Sequence, residues 1–382
     1  MTSASNSPTL LVMAGGTGGH IFPGLAVADR LKQQGWQIHW LGTADRMEAN
    51  IVPEHGYDIS FINISGLRHK GLLSWLTLPF KLINSLWQGI RVIKTVNPDV
   101  VLGMGGYASG PGGLAAWLMK KPLLVHEQNA AAGLTNRLLS HIASKVCSAF
   151  PSAFDAKINA QVVGNPLRAN IGEPAQQDSS HNSNKPIDKT SNNILVVGGS
   201  LGAQVLNQIV PNSFAELATE ADALAFNIWH QTGQGKQEQV IEAYNQHHLD
   251  NEQVRVTEFI KDMASAYQWA DIVICRAGAL TVSELAMAAK PAIFVPLPHA
   301  VDDHQTKNAQ YLVARGGATL IKQSELTSAG LAKKLKHLFN EKQLLNSMAK
   351  AAFAAADVNA TNKVAQICQQ LIPVSKQNEI SS

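Results

Sequence analysis

Cysteine and charge are what this chain has least of. Of its 382 residues only three are cysteine. Cys147, Cys275 and Cys368 lie far apart, in no Cys-x-x-Cys pair and no Cys/His ligand spacing, which excludes a disulfide framework and a zinc module. They read as reduced, packed thiols of a cytosolic protein. Charged residues amount to 15% beside 45% hydrophobic ones, a globular composition rather than a disordered polyelectrolyte. The net charge of +3 is too small for nucleic-acid binding driven by overall charge, so no nucleic-acid partner is expected. No apolar run approaches the roughly 18 residues of a membrane-spanning helix. The polar stretch Met1–Pro8 lacks the basic flank of a signal peptide.

Several motifs are missing too. Neither of two glycine clusters, Gly15-Gly-Thr-Gly-Gly-His20 and Gly198-Gly-Ser-Leu-Gly-Ala203, is followed by the Gly-Lys-Ser/Thr of a Walker A loop, which removes the main reason to propose an NTPase. Neither completes Gly-x-Gly-x-x-Gly: the first has Ile21 where the third glycine belongs. A nicotinamide dehydrogenase is weakened accordingly. His299, Asp302, Asp303 and His304 are crowded but match no metal motif, and no metal is expected. Helix capping by Asp302 or Asp303, with Gln305 turned toward a ligand, is the preferred reading.

What is present is an alternation of short apolar runs with helical patterns. Leu10–Ala14, Gln37–Leu41, Val100–Gly103 and Leu123–His126 read as strands, with a helix over Phe22–Gln34. The same grammar restarts at Asn193–Gly198 and continues through Ala225–His230, Val254–Thr257, Ile272–Cys275 and Ala292–Val295, ending in helices from Ser324 to Leu371. The expected fold class is α/β, with two Rossmann-like doubly wound parallel-sheet domains facing across a cleft. Their expected bounds are 1–168 and 193–355, joined by a polar linker over 169–192, with a C-terminal helix and tail over 356–382 that could pack back on the first domain.

Each half opens with a strand running into a glycine-rich turn, where backbone N–H groups and a helix N-terminus suit a phosphate. His20 ends the first turn, and a neutral imidazole there could serve as a general base. Gly103–Gly113 brings backbone close to something, and His126-Glu-Gln-Asn129 ends a strand, where such sheets present ligands. In the second half Arg276–Glu284 opens a helix at about Ala279. Glu284 there is either a ribose ligand or a solvated helix glutamate.

Between Asp58 and Asp99 no acid occurs, while Arg68, Lys70, Lys81, Arg91 and Lys94 add five positive charges among Trp75, Leu78, Leu82 and other apolar residues. Such a segment could lie on an anionic bilayer. The alternative is a buried helix whose stripe Leu72, Leu76, Phe80, Ile83 and Trp87 faces the sheet.

Nine ordered motifs, spread over nearly the whole chain, carry a resemblance. They are Gly15–Pro23, Gly105–Gly113, His126–Asn129, Gly164–Arg168, Gly198–Ala203, His230–Gly233, Phe259–Met263, Arg276–Glu284 and His299–Gln305. Together they resemble the bacterial N-acetylglucosaminyltransferases that make lipid II from lipid I in peptidoglycan synthesis. The resemblance implies a GT-B glycosyltransferase that inverts the donor sugar carbon and requires no metal or other cofactor. It implies that UDP-N-acetylglucosamine meets Arg168 and Ser200, Ile260 at the uracil, Ala279, Leu280, Thr281, Val282, Ser283 and Glu284 at diphosphate and ribose, and Gln305 and Asn129 at the sugar. Thr17, Gly18 and Gly19 would lie where donor sugar meets acceptor pyrophosphate, with His20 as base and Gly105, Tyr107, His126 and Glu127 on the acceptor side. It favours a membrane patch of Trp75, Leu78, Lys81, Leu82 and Arg91 on the cytoplasmic face of the inner membrane, with cell-wall assembly proteins as further partners. A UDP-N-acetylglucosamine 2-epimerase and a noncatalytic nucleotide-sugar binding module are the competing readings.

Overall fold

The computed structural model describes residues 7–64, 72–172, 192–199, 201–219, 225–249, 253–298 and 303–372, with only the backbone of 72–78. They form two compact units, one of residues 1–168 with 357–382 and one of 169–356.

In the first unit seven strands, β1 (Thr9–Ala14), β2 (Gln37–Gly42), β3 (Asp58–Phe61), β4 (Val100–Gly105), β5 (Leu123–Glu127), β6 (Lys145–Ser148) and β7 (Gln161–Val162), make one sheet. Its order is β3-β2-β1-β4-β5-β6-β7 and every pair is parallel. Strands β1 and β4 are buried almost throughout because helices cover both faces, which is why they read as unbroken apolar runs. The outer strands β3 and β7 are short and half exposed, and no apolar run marks them.

Helix α1 (Gly18–Lys32) lies on one face with α13 (Ala360–Gln370), whose Val364, Ala365, Ile367 and Cys368 join a core with Leu25, Val27 and Leu31. Thr361 Oγ1 bonds the Leu167 backbone, and Gln369 donates to Gln34. On the other face α3 (Leu72–Val96) packs on α4 (Ser109–Leu118), where an added Cβ on Gly89 would stand 3.4 Å from Ala115 Cβ.

Helix α3 corrects the buried-stripe reading. Phe80, Ile83 and Trp87 are 76%, 64% and 55% exposed, whereas Ser85, Gly89 and Ile93 face inward. Small residues let α3 approach α4 on that side, and Phe80, Ile83 and Trp87 of the stripe are left outside, the side chains of Leu72 and Leu76 lying outside the described residues. No helix among the described residues is long and apolar enough to cross a membrane.

The second unit has six strands, β8 (Asn192–Val197), β9 (Phe226–Gln231), β10 (Val254–Thr257), β11 (Ile272–Cys275), β12 (Ala292–Phe294) and β13 (Ala318–Leu320). Their order is β10-β9-β8-β11-β12-β13, again all parallel. Helices α6 (Gln204–Thr219), α9 (Ala279–Met287), α10 (His304–Val313) and α11 (Ser328–Asn340) follow strands or the last loop, and Val210, Phe214, Leu331 and Leu335 pack with Ile194, Val196 and Ile274. Strand order reverses between β1 and β4 in one unit and between β8 and β11 in the other, and ligands of open α/β sheets bind at such switch points.

Candidate active site

At the first switch point the chain leaves β1 through Gly15 and Gly16, the latter at φ +87°, and Thr17 forms the N-cap of α1. Gly18 lies against the Phe22 ring, over which the Arg168 guanidinium stacks at 4.9 Å. Thr17 and Gly19 complete the turn, so the Thr17–His20 stretch and Arg168 flank one helix start.

His20 Nδ1 lies 3.0 Å from the Gly15 carbonyl. A carbonyl can only accept, so Nδ1 carries a proton, and in the neutral ring the lone pair is on Nε2. No described residue bonds Nε2, and it faces the end of β4, where an added Cβ on Gly105 would stand 3.2 Å from it. An added Cβ on Gly106 would stand 2.6 Å from the Gly15 carbonyl oxygen, and one on Gly112 would collide with Met13 Sδ. Of the glycines of 103–113, Gly105 lies against His20 and Gly106 against Gly15, while Gly112 and Gly113 give room to Met13 and Leu139. Tyr107 is exposed, with the Arg46 guanidinium 5.6 Å from its ring centroid.

His126 and Glu127 face inward. His126 Nε2 is 2.9 Å from the Gly164 carbonyl and Nδ1 is 3.2 Å from Gln128 Nε2, and burial pushes its pKa down to about 4. Glu127 accepts from the Asn129 backbone and side chain, from the Gly133 N–H and from Asn136, which organises the loop that carries Asn129. Neither is placed as a rival base: one is a buried neutral ring and the other a carboxylate engaged by four donors.

The second glycine turn is held differently from the reading of free phosphate-binding amides. Buried Gln231, at the end of β9, accepts from the N–H groups of Gly198 and Gly199 through Oε1, both at 3.1 Å. Its Nε2 donates to the carbonyls of Gly199 and Glu258. In the first turn the Gly16 N–H is likewise taken, by Glu48. The N–H groups of Gly16, Gly198 and Gly199 are therefore engaged within the protein.

Helix α9 begins after Gly278 as read from the sequence, and Ala279, Leu280, Thr281, Val282 and Ser283 form its first turns, with Ser283 Oγ on the Ala279 carbonyl. Glu284 is buried and accepts from Tyr267 at 2.9 Å, which excludes the solvated-glutamate reading. Ile260 is buried beside exposed Phe259. Gln305 Oε1 accepts from Leu297 N–H at 2.9 Å and Ala277 N–H at 3.3 Å, tying the loops after β11 and β12. Its carbonyl oxygen thus faces backbone. Asp303 occupies the N-cap of α10 but at φ +53°, and its side chain makes no capping bond. Ser200, His299 and Asp302 lie outside the described residues, as does most of the linker, and so do the side chains of Trp75 and Leu78.

Glu48, Gln231 and Tyr267 carry no role in the sequence reading. Glu48 stands in an irregular stretch with no pattern, and Gln231 belongs to a quoted motif whose chemistry the sequence does not disclose. Only the fold shows what their side chains reach.

Comparison with known proteins agrees in extent. Residues 10–148 match the glycosyltransferase family 28 N-terminal domain and residues 193–371 its C-terminal domain. A UDP-N-acetylglucosamine–N-acetylmuramyl-(pentapeptide) pyrophosphoryl-undecaprenol N-acetylglucosamine transferase of Colwellia psychrerythraea is 66% identical over 95% of this chain and 92% of its own. The crystal structure of Acinetobacter baumannii MurG is 41% identical with a TM-score of 0.77, covering 95% of this chain and 99% of that one. A putative UDP-N-acetylglucosamine 2-epimerase from Listeria monocytogenes, 17% identical with a TM-score of 0.66 over 94% of this chain and 95% of that one, shares the fold alone. With two Rossmann-like domains of the GT-B class and relatives of this identity over almost its whole length, the chain belongs to the undecaprenol-linked N-acetylglucosamine transferases of glycosyltransferase family 28.

Proposed function

We propose that the protein transfers N-acetylglucosamine from UDP-N-acetylglucosamine to the 4-hydroxyl of the N-acetylmuramoyl-pentapeptide of lipid I, forming lipid II, with His20 as general base. The observation that carries this is the Nδ1–H bond of His20 to Gly15, which leaves Nε2 as the proton acceptor at the switch point of the first sheet. The acceptor oxygen attacks the donor sugar carbon as UDP departs from the opposite face, inverting its configuration. The hydroxyl proton passes to Nε2.

The second unit holds the donor. Ile260 meets uracil, Glu284, held by Tyr267, meets the ribose hydroxyls, and the start of α9 from Ala279 to Ser283 meets the diphosphate. Its dipole offsets the charge that builds on the leaving group. Arg168, Ser200, Gln305 and Asn129 belong to the same donor reading, and Thr17, Gly18, Gly19, Gly105 and Tyr107 to the junction with the acceptor. His126 and Glu127 support that side through the backbone they hold.

The acceptor is a membrane lipid, and α3 supports docking at the cytoplasmic face of the inner membrane. Phe80, Leu82, Ile83 and Trp87 are exposed there beside Lys81 and Arg91, the latter stacked 4.1 Å from the Trp87 ring centroid. Trp75 and Leu78 lie on the same helix. Cell-wall assembly proteins are partners on the family role alone.

The test is transfer of radiolabelled N-acetylglucosamine to a short-chain lipid I analogue in the presence of EDTA. Wild type should transfer, and His20→Ala should turn over about 10²–10⁴-fold more slowly while binding UDP as tightly. Conversion of UDP-N-acetylglucosamine to its 2-epimer without transfer would replace this reading.

A further inference from the structure

Glu48, the first residue of helix α2 (Glu48–Glu54), is a carboxylate in the interior, 1% exposed. Its Oε1 accepts from the Thr43 N–H at 3.1 Å and from Thr43 Oγ at 2.7 Å. Its Oε2 accepts from the Gly16 N–H at 2.9 Å. That N–H and the Gly15 carbonyl belong to a single peptide group, and the Gly15 carbonyl is the acceptor for His20 Nδ1 at 3.0 Å. Carboxylate, peptide plane and imidazole thus form one chain of hydrogen bonds.

We infer that Glu48 is a positioning residue for catalysis, acting on His20 through the Gly15–Gly16 peptide. The inference rests on His20 being the base. A peptide plane with both its N–H and its C=O engaged cannot rotate without breaking both bonds, so Glu48 fixes the direction of the carbonyl that selects the His20 tautomer. Hydrogen bonds in series also polarise one another: an anion on the N–H side makes the carbonyl a stronger acceptor. The division of labour resembles that of a carboxylate orienting a catalytic histidine, with a peptide group interposed.

The surrounding packing is built for this chain. An added Cβ on Gly15 would stand 2.5 Å from Glu48 Oε1, and one on Gly42 would stand 2.8 Å from Glu48 Cγ, so glycines clear the space for the carboxylate. Gly106 closes on the Gly15 carbonyl from the β4 side. The left-handed φ of Gly16 turns its N–H toward α2. A buried carboxylate used only to hold a turn could be replaced by a neutral acceptor, as the second unit does with Gln231.

The test compares wild type, His20→Ala, Glu48→Gln and the double variant of the full chain, with UDP-N-acetylglucosamine and the lipid I analogue. The Gln side chain keeps the shape and one acceptor oxygen, and a thermal melt within a few degrees of wild type confirms the fold. Glu48→Gln should lower kcat about 10- to 100-fold, the scale of a misplaced catalytic group, with KM for UDP-N-acetylglucosamine within about twofold. Added to His20→Ala, it should cost less than about threefold more, because the group it acts through is gone. In ¹⁵N spectra of ring-labelled histidine, the His20 signal should move from the Nδ1–H tautomer of wild type toward a mixture. Wild-type kcat in Glu48→Gln, or full multiplication of the two losses in the double variant, overturns the positioning role while leaving His20 in place. Wild-type kcat in His20→Ala overturns the base assignment itself and the inference with it. Should Glu48→Gln melt far below wild type, Glu48→Asp takes its place: an unchanged His20 tautomer in a folded Glu48→Asp with lowered kcat would also overturn the role.

Discussion

The two glycine turns occupy equivalent places, each after the first strand in chain order of its sheet and each pinned by a buried side chain, Glu48 from the helix after the neighbouring strand and Gln231 from the last residue of the neighbouring strand. Their holders differ in one respect. Glu48 in the first unit is a carboxylate that only accepts, whereas Gln231 in the second is an amide that accepts from two N–H groups and donates to two carbonyls. The difference suits the roles proposed for the two units. A negative charge beside a histidine that gains a proton is favourable, and the same charge beside a departing diphosphate would oppose it. The geometry of the turn is shared; the electrostatics are not.

Exchanging the holders is the strongest way to break this comparison. Gln231→Glu removes both donations and buries a charge, so the second unit should lose about 1–3 kcal/mol in urea unfolding. UDP binding by calorimetry should weaken about tenfold, or about 1.4 kcal/mol. Unaltered UDP affinity in a folded Gln231→Glu would show that the charge of the holder is irrelevant. The reciprocal change, Glu48→Gln, should spare UDP binding and lower kcat.

Acid sharpens the comparison at a pair of buried histidines, one near the end of β5 and one near the end of β9, which hold different places in their sheets. Burial pushes the pKa of His126 down to about 4 and that of His230, bonded to Tyr244 and Asn207, down to about 3. Unfolded histidine takes up its proton near pH 6.5, so below that pH the unfolded chain binds more protons and stability falls with pH. Each histidine contributes up to about 1.4 kcal/mol of loss per pH unit, over the window from about 6.5 down to its folded value. Urea midpoints between pH 7 and 4.5 should decline, and His126→Gln or His230→Gln should each flatten the decline by one proton. A flat profile would mean that neither ring is held neutral.

A last difference is a feature that the first unit has and the donor reading of the second does not require. Charge reversal of Lys81 and Arg91 together should weaken flotation with phosphatidylglycerol vesicles about tenfold or more, at about 1 kcal/mol per basic residue, and leave UDP binding unchanged. Equal flotation of wild type and variant would remove α3 as the docking face.

Much of this molecule is legible in its residues. The central strands read directly, since a parallel sheet covered on both faces needs unbroken apolar runs, and Val254–Thr257 and Ile272–Cys275 keep their read bounds in the structure. The edge strands β3 and β7 and the short β13 do not, because half-exposed strands need no such run. Periodicity in α3 finds a stripe but not its direction: Phe80, Ile83 and Trp87 recur at helical spacing whether they meet a sheet or a solvent. Composition cannot choose between those, and the smallness of Ser85 and Gly89 on the opposite side does.

By itself the sequence determined the two-unit α/β plan, the glycine turns at strand ends and His20 at a helix start, because periodicity and turn chemistry are local properties of the chain. That Gly105 and Gly106 close on His20 and Gly15, and that Glu48 lies behind that peptide, were decided only by tertiary structure. Those facts depend on residues far apart in the chain, 32 positions for Gly16 and Glu48, meeting within a hydrogen bond or a van der Waals contact. No local pattern encodes such a meeting, since the order of the strands alone brings them together.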